Sequence, residues 1–306
     1  LPTAGEKARC PSSHIPALPS AACRLPAGRA GMFGLWRTVN AVLFFLTLAP
    51  GLAGLLGHGL VLRHLGPHIK KDPLSLYLPH LAAADFLFLG CQVGASAARA
   101  ALGSRDSADF VVPFVGFSVG LWPLAAFSAE RCLSHLFPGC YRGRRPRHTS
   151  AVVCGLIWAL TPPAVLLPAH ACGLLGVRAR PGTRLRYHAA SVTWLLSLVC
   201  GVCGASLVLF VWGGCCSQRP RPQFFGVTLG STLLLLLCGL PLAFCWSLRP
   251  LLGFLLPLFL PLATLLACVH GSAKPLLHFM AGRQPGPRQP LRAVLRRALE
   301  EQAPLE

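Results

Sequence analysis

The sequence predicts an all-α membrane protein: a seven-transmembrane helix bundle followed by a short amphipathic C-terminal helix. Three observations predict it. Of the 306 residues, 54% are hydrophobic and only 12% charged, about half the share with which a soluble fold covers its surface. Seven apolar runs each approach the roughly 20 residues that a helix needs to cross a bilayer. The runs are continuous rather than alternating, which argues against a membrane β-barrel, and lipid leaves each run no way to satisfy its backbone except as a helix. The same composition, with a mean hydropathy of +0.59, excludes intrinsic disorder and leaves little room for a soluble enzyme.

In chain order, Leu1–Gly31 is rich in Pro, Ser and Ala and has no apolar run, so it reads as disordered or as a non-native extension ahead of Met32. No cleavable signal peptide is recognisable there. The membrane-spanning unit, residues 32–282, holds the expected spans Val39–Leu62, Leu74–Ala98, Asp109–Leu133, Ala151–Ala169, Ala189–Gly213, Phe225–Ser247 and Gly253–Phe279. Residues 283–306 form a tail in which Leu291, Val294, Leu295 and Leu299 oppose Arg292, Arg296, Arg297 and Glu300 at helical spacing. Such a helix lies along the inner membrane surface.

The formal charge of +19 is carried between the spans, not on them. It points to lipid headgroups and topology rather than to nucleic acid. Arg63, Lys70, Lys71, Arg142, Arg144, Arg145, Arg147, Arg219, Arg221 and the tail arginines outweigh the opposite set. By the positive-inside rule they face the cytosol, which puts the N-terminus outside. The margin narrows because the Val177–Arg186 loop, with Arg178, Arg180, Arg184 and Arg186, is itself basic. Most of the 14 cysteines lie in apolar runs and read as small hydrophobes.

Ionisable groups inside spans are costly and are functional candidates by default. Here they are His58, Asp85, Glu130, Arg131, His270, Lys274 and His278. Their surroundings resemble a known family. Asp85 in Leu81-Ala82-Ala83-Ala84-Asp85 is similar to the second-helix motif of rhodopsin-like G-protein-coupled receptors, and Glu130-Arg131-Cys132 stands where that family has Asp/Glu-Arg-Tyr. Trp158 fits the fourth-helix Trp, and Cys238-Gly239-Leu240-Pro241 the sixth-helix Cys-Trp-x-Pro. Lys274-Pro275-Leu276-Leu277-His278 fits the seventh-helix Asn-Pro-x-x-Tyr. Glu-Arg-Cys with Cys-Gly-Leu-Pro, and the stretch from Tyr141 to Cys154, resemble the Mas-related subfamily over about Met32 to Leu299.

The resemblance implies a plasma-membrane receptor, N-terminus extracellular, that passes an extracellular signal to a heterotrimeric G protein without a cofactor or metal. It assigns Glu130, Arg131, Cys132 and His278 to G-protein coupling, Cys238, Gly239 and Pro241 to the helix-six switch, and Pro275 to the helix-seven motif. Three departures matter. Where the family has an Asn–Asp–Asn centre that often holds sodium, this chain has His58, Asp85 and Lys274, so an Asp85–Lys274 ion pair flanked by His58 and His270 is expected in its place. Lys274 facing a cytosolic water pocket is the alternative. The acidic partner at the base of helix six is missing, Trp is replaced by Gly239 and Tyr by His278, which fits either raised basal signalling or weak coupling. The helix-three Cys is absent, leaving Cys172 without an evident partner.

No Asp or Glu stands between Trp158 and Trp212, whereas the outer loop carries Arg178, Arg180, Arg184 and Arg186. An anionic or apolar ligand is therefore expected over a polycation. No zinc-protease, Walker or nucleophile-elbow motif supports an enzyme. A receptor-shaped protein that no longer signals, and a transporter, are the competing classes; the transporter lacks the internal repeat usual there.

Overall fold

The computed structural model describes residues 27–65, 76–102, 108–139, 141, 145–146, 148–171, 181–211, 224–248 and 256–282. The tail with its expected amphipathic helix, Cys172, Arg178 and Arg180 lie outside the described residues. Helices α1 (Ala27–Leu65), α2 (Tyr77–Leu102), α3 (Ala108–Leu136), α4 (Thr149–Ala171) and α5 (Pro181–Val211) come first. The sixth, α6, is α-helical over Phe224–Leu234 and Leu240–Leu248 with a π-helical turn at Leu235–Gly239 between, and α7 is Leu256–Gly282. Each of the seven contains a stretch long and apolar enough to cross a membrane, and no strand occurs among the described residues. The chain divides into Leu1–Val39 and Asn40–Glu306, and all seven stretches belong to the second unit.

Two boundaries differ from expectation for identifiable reasons. Residues 27–31, read from the sequence as part of a disordered or non-native extension, are helical and open α1. Helix α5 begins at Pro181, eight residues before the expected Ala189. A proline at the first helical position has its ring already at a helical φ and gives up only an N–H that would have no partner. Arg184 and Arg186, expected in an outer loop, therefore stand on the first turns of α5.

Helix α3 is the hub. Its spanning stretch is 67% buried against 22% for that of α1, and it packs on α2, α4 and α5. Phe88, Phe114, Phe117, Leu121, Leu235 and Trp246 form the central core with it. The outward-facing Phe45, Leu56, Leu160, Leu207 and Leu237 are exposed apolar side chains, as lipid requires. Gly116 brings α3 against α2: a Cβ there would stand 2.8 Å from the Cα of Phe88. The π turn of α6 precedes Pro241, whose ring and missing N–H disturb the hydrogen-bond ladder one turn back.

Candidate functional site

The bundle's charged centre is built where α1, α2 and α7 meet. Gly54 and Gly57 let α1 approach α7 closely; a Cβ on Gly54 would lie 2.8 Å from Ser272 Cβ, and one on Gly57 3.3 Å from Pro275. One residue beyond Gly57, the His58 Nε2 lies 2.9 Å from the Gly271 carbonyl oxygen. Only a protonated nitrogen can donate there, so this bond assigns the proton to Nε2. From α2, Asp85 points at Lys274 of α7, whose Nζ donates to Oδ1 at 2.8 Å and Oδ2 at 2.9 Å. Asp85 is 5% exposed and Lys274 3%, so the pair is shielded from solvent. Two opposite charges removed from water must neutralise each other, and a two-oxygen grip on one ammonium does so.

The two histidines have different positions. His58 Nε2 lies 3.9 Å from Asp85 Oδ2, beside the pair. His270, expected to flank the pair as well, stands one turn before Lys274 on α7 and sets its ring against Phe117 with centroids 6.4 Å apart. Residues four apart on a helix share a face about one turn along its axis, so His270 and Lys274 meet different neighbours at different levels of the bundle. Gly239 is part of the same contact: its ideal Cβ position is 3.6 Å from both His270 and Phe117 and 2.8 Å from Leu235. Cys238 is half-buried beside it, and Pro241 follows in the resumed helix.

At the end of α3, Arg131 is 2% exposed, one of the largest fully buried side chains, with its guanidinium 4.4 Å from the centroid of Phe127. Cys132 beside it is half-buried. Glu130, the residue before this arginine, has its carboxylate held by three side chains. Tyr77 Oη donates to Oε1 at 2.8 Å, Tyr141 Oη to Oε2 at 3.2 Å, and Arg145 Nη2 to Oε2 at 2.5 Å. Arg145 also donates to Ser150 Oγ at the start of α4 and lies 5.1 Å from the Tyr141 ring centroid. Burial, followed by the Glu130 carboxylate, pushes the Tyr141 phenol up to about 12. His278 lies on α7 with its side chain outside the description; Pro275 packs near Gly57. Arg186 is exposed on α5, and the side chain of Arg184 is not described.

Sequence reasoning missed two features. Arg145 was one of several loop arginines counted only for topology. The second is an aromatic stack nearer the other end of the bundle: Trp246 lies 4.1 Å from Phe114 at 10° and donates from Nε1 to Ser191 Oγ at 2.9 Å. It joins α3, α5 and α6. Counting seven residues from Gly239 places Trp246 two turns along α6, a spacing that hinted at a shared face.

Seven spanning helices, a buried Asp85–Lys274 pair and a buried arginine near the end of the third helix are the arrangement expected of a G-protein-coupled receptor. No protein-family model matches the chain. The chain is 63% identical over 275 residues to human Mas-related G-protein coupled receptor member G, covering 90% of this chain and 95% of that one. The mouse member G is 55% identical over 273 residues, covering 89% and 94%. Human Mas-related member E is 41% identical over 274 residues, covering 87% and 88%. The chain therefore belongs to the Mas-related G-protein-coupled receptors. It is a multi-pass plasma-membrane protein of a receptor class, not an enzyme class, and the family implies a ligand and coupling to a G protein.

Proposed function

We propose that this receptor stands with its N-terminus outside, senses an anionic or apolar extracellular ligand, and activates a heterotrimeric G protein at the inner end of α3. Arg131 is the contact for that partner, with Glu130, Cys132 and His278 around it. Cys238, Gly239 and Pro241 form the part of α6 that yields, and Asp85–Lys274 is a fixed internal ion pair in the position the family gives to sodium. The observation that carries this reading is Arg131: a guanidinium 2% exposed at the end of the most buried helix has a high cost unless function keeps it there. Orientation rests on the basic inner loops, and the ligand class on the exposed Arg186 and the acid-free outer halves of α4 and α5.

The full chain in phosphatidylserine-containing vesicles is expected to accelerate nucleotide exchange on at least one purified Gα without ligand, and Arg131→Ala to abolish that acceleration. Equal rates for the two proteins across the Gα classes would reject coupling at Arg131. Replacing sodium by potassium is expected to leave the rate unchanged, because an ammonium already occupies the carboxylate. A marked sodium effect would remove the ion-pair reading. Activation by a polycationic peptide at nanomolar concentration would contradict the ligand class.

A further inference from the structure

We infer that Ser206 and Thr232 are positioning residues for coupling: their hydroxyl pair latches the first segment of α6 to α5. The inference rests on the reading that Arg131 receives the G protein. Successive spans alternate in direction, so the end of α3, the end of α5 and the start of α6 lie on one side of the membrane. Arg131 is 2% exposed, and a partner as large as a protein reaches it only if the helices on that side part. Helix α6 has the means to move in part. The π turn at Leu235–Gly239 separates Phe224–Leu234 from Leu240–Leu248, and Gly239 and Pro241 weaken the backbone ladder there. What holds Phe224–Leu234 to its neighbours then sets how readily that segment moves.

Against α7 the contact is apolar: the ideal Cβ position of Gly230 is 3.4 Å from Leu277 Cδ2. Such contact resists parting weakly in a membrane, because lipid chains replace it in kind. A hydroxyl pair differs. Ser206 and Thr232 are 6% and 5% exposed, and Oγ of one lies 2.6 Å from Oγ1 of the other. Parting the helices breaks that bond in hydrocarbon, where no water takes its place. Other span hydroxyls stay within their own helix: Thr47, Thr193, Ser197 and Thr264 each donate to the carbonyl four residues before. Ser206 and Thr232 instead meet across two helices, with Thr232 three residues before the π turn. A released hydroxyl can turn to a carbonyl of its own helix, so the pair is a reversible latch and not a permanent brace. Removing a latch raises coupling, whereas removing a bond that only keeps the bundle folded lowers it.

Two measurements on the full chain test this. The first is ligand-independent nucleotide exchange on purified Gα, normalised to the amount of folded receptor. Ser206→Ala and Thr232→Val each delete one hydroxyl and are expected to raise the rate about three- to tenfold, the worth of one interhelical hydrogen bond in a membrane. The double variant is expected to rise no further than the larger single effect. Thr232→Ser keeps the hydroxyl and is expected to stay within about twofold of the unaltered receptor. Unchanged or lowered rates in both single variants, effects that multiply in the double, or an equal rise in Thr232→Ser overturn the proposal. The second measurement, backbone deuterium uptake, needs no partner. Thr232→Val is expected to raise uptake within residues 224–234 about twofold or more and to leave residues 240–248 unchanged. Uptake that rises in both segments, or in neither, overturns the latch. If the unaltered receptor and every variant drive no exchange on any Gα, the coupling reading above fails, while deuterium uptake still decides whether the hydroxyl pair holds the segment.

Discussion

Replacing Lys274 by Met keeps the length and apolar stem of the side chain and deletes the charge. Asp85 is then a carboxylate 5% exposed that has lost both of its ammonium hydrogen bonds. Breaking a buried pair from one side costs about 3–5 kcal/mol. His58 Nε2, 3.9 Å from Oδ2, offsets part of this by turning toward the carboxylate, at the expense of its bond to Gly271. The lower end, about 3 kcal/mol, is therefore the expected loss, or roughly 6–12 °C in apparent melting temperature for a chain of this size. The cysteines of the spans are free among the described residues, so unfolding in detergent is readable by a thiol-reactive fluorophore. Asp85→Asn alone leaves an unbalanced ammonium and is expected to cost a similar amount. The double variant Asp85→Asn/Lys274→Met carries no buried charge and is expected to lie within about 1 kcal/mol of the starting protein. If the two single losses simply add in the double variant, the side chains do not act as a pair and the reasoning fails.

Two further perturbations probe the packing that holds the site. Trp246→Ala removes the stack on Phe114 and is expected to cost about 3–5 kcal/mol, whereas Trp246→Phe keeps a ring and gives up mainly the Ser191 bond, about 1 kcal/mol; equal losses in the melting assay would show that the stack contributes little. Gly116→Ala forces a Cβ to 2.8 Å from the Phe88 backbone and is expected to cost about 1–3 kcal/mol. Gly155→Ala meets nothing within 4 Å and is expected to stabilise α4 by up to about 1 kcal/mol, so two losses of the same size would contradict the close α2–α3 approach.

The spans were legible because lipid imposes a requirement that sequence states directly: an uninterrupted apolar run of fixed length. Asp85 and Lys274 were legible for the complementary reason, since charges are rare in such runs and each needs a partner. What composition does not carry is direction. His270 and Lys274 lie four residues apart on one face of α7, yet the first sets its ring against Phe117 of α3 and the second holds the carboxylate of α2. That depends on how α7 is seated along its length against its neighbours, which the close contacts at Gly54, Gly57 and Gly239 help to set. Arg145 was hidden for another reason: Arg142, Arg144, Arg145 and Arg147 are equivalent as topology signals, and only the fold shows that Arg145 reaches Glu130. Phe114 and Trp246 were lost among apolar neighbours, where nothing in one dimension marks two rings as partners across helices.

The two carboxylates of the site follow one rule with different consequences. Asp85 is balanced by a residue 189 positions away, so its pair ties α2 to α7 deep in the bundle, where both ends are held by helices. Glu130 is balanced by a residue 15 positions away, across a connecting segment rather than between two spans. A pair between packed helices separates only if the helices do, whereas a pair to a connecting segment separates when that segment alone moves. Motion at the α3–α4 connection therefore reaches Glu130 without disturbing the Asp85–Lys274 centre, and substitutions at the two carboxylates are expected to be additive in the melting assay. Strong coupling between Asp85→Asn and Glu130→Gln would mean that the bundle transmits strain along its whole length and that the inner pair is not a local device.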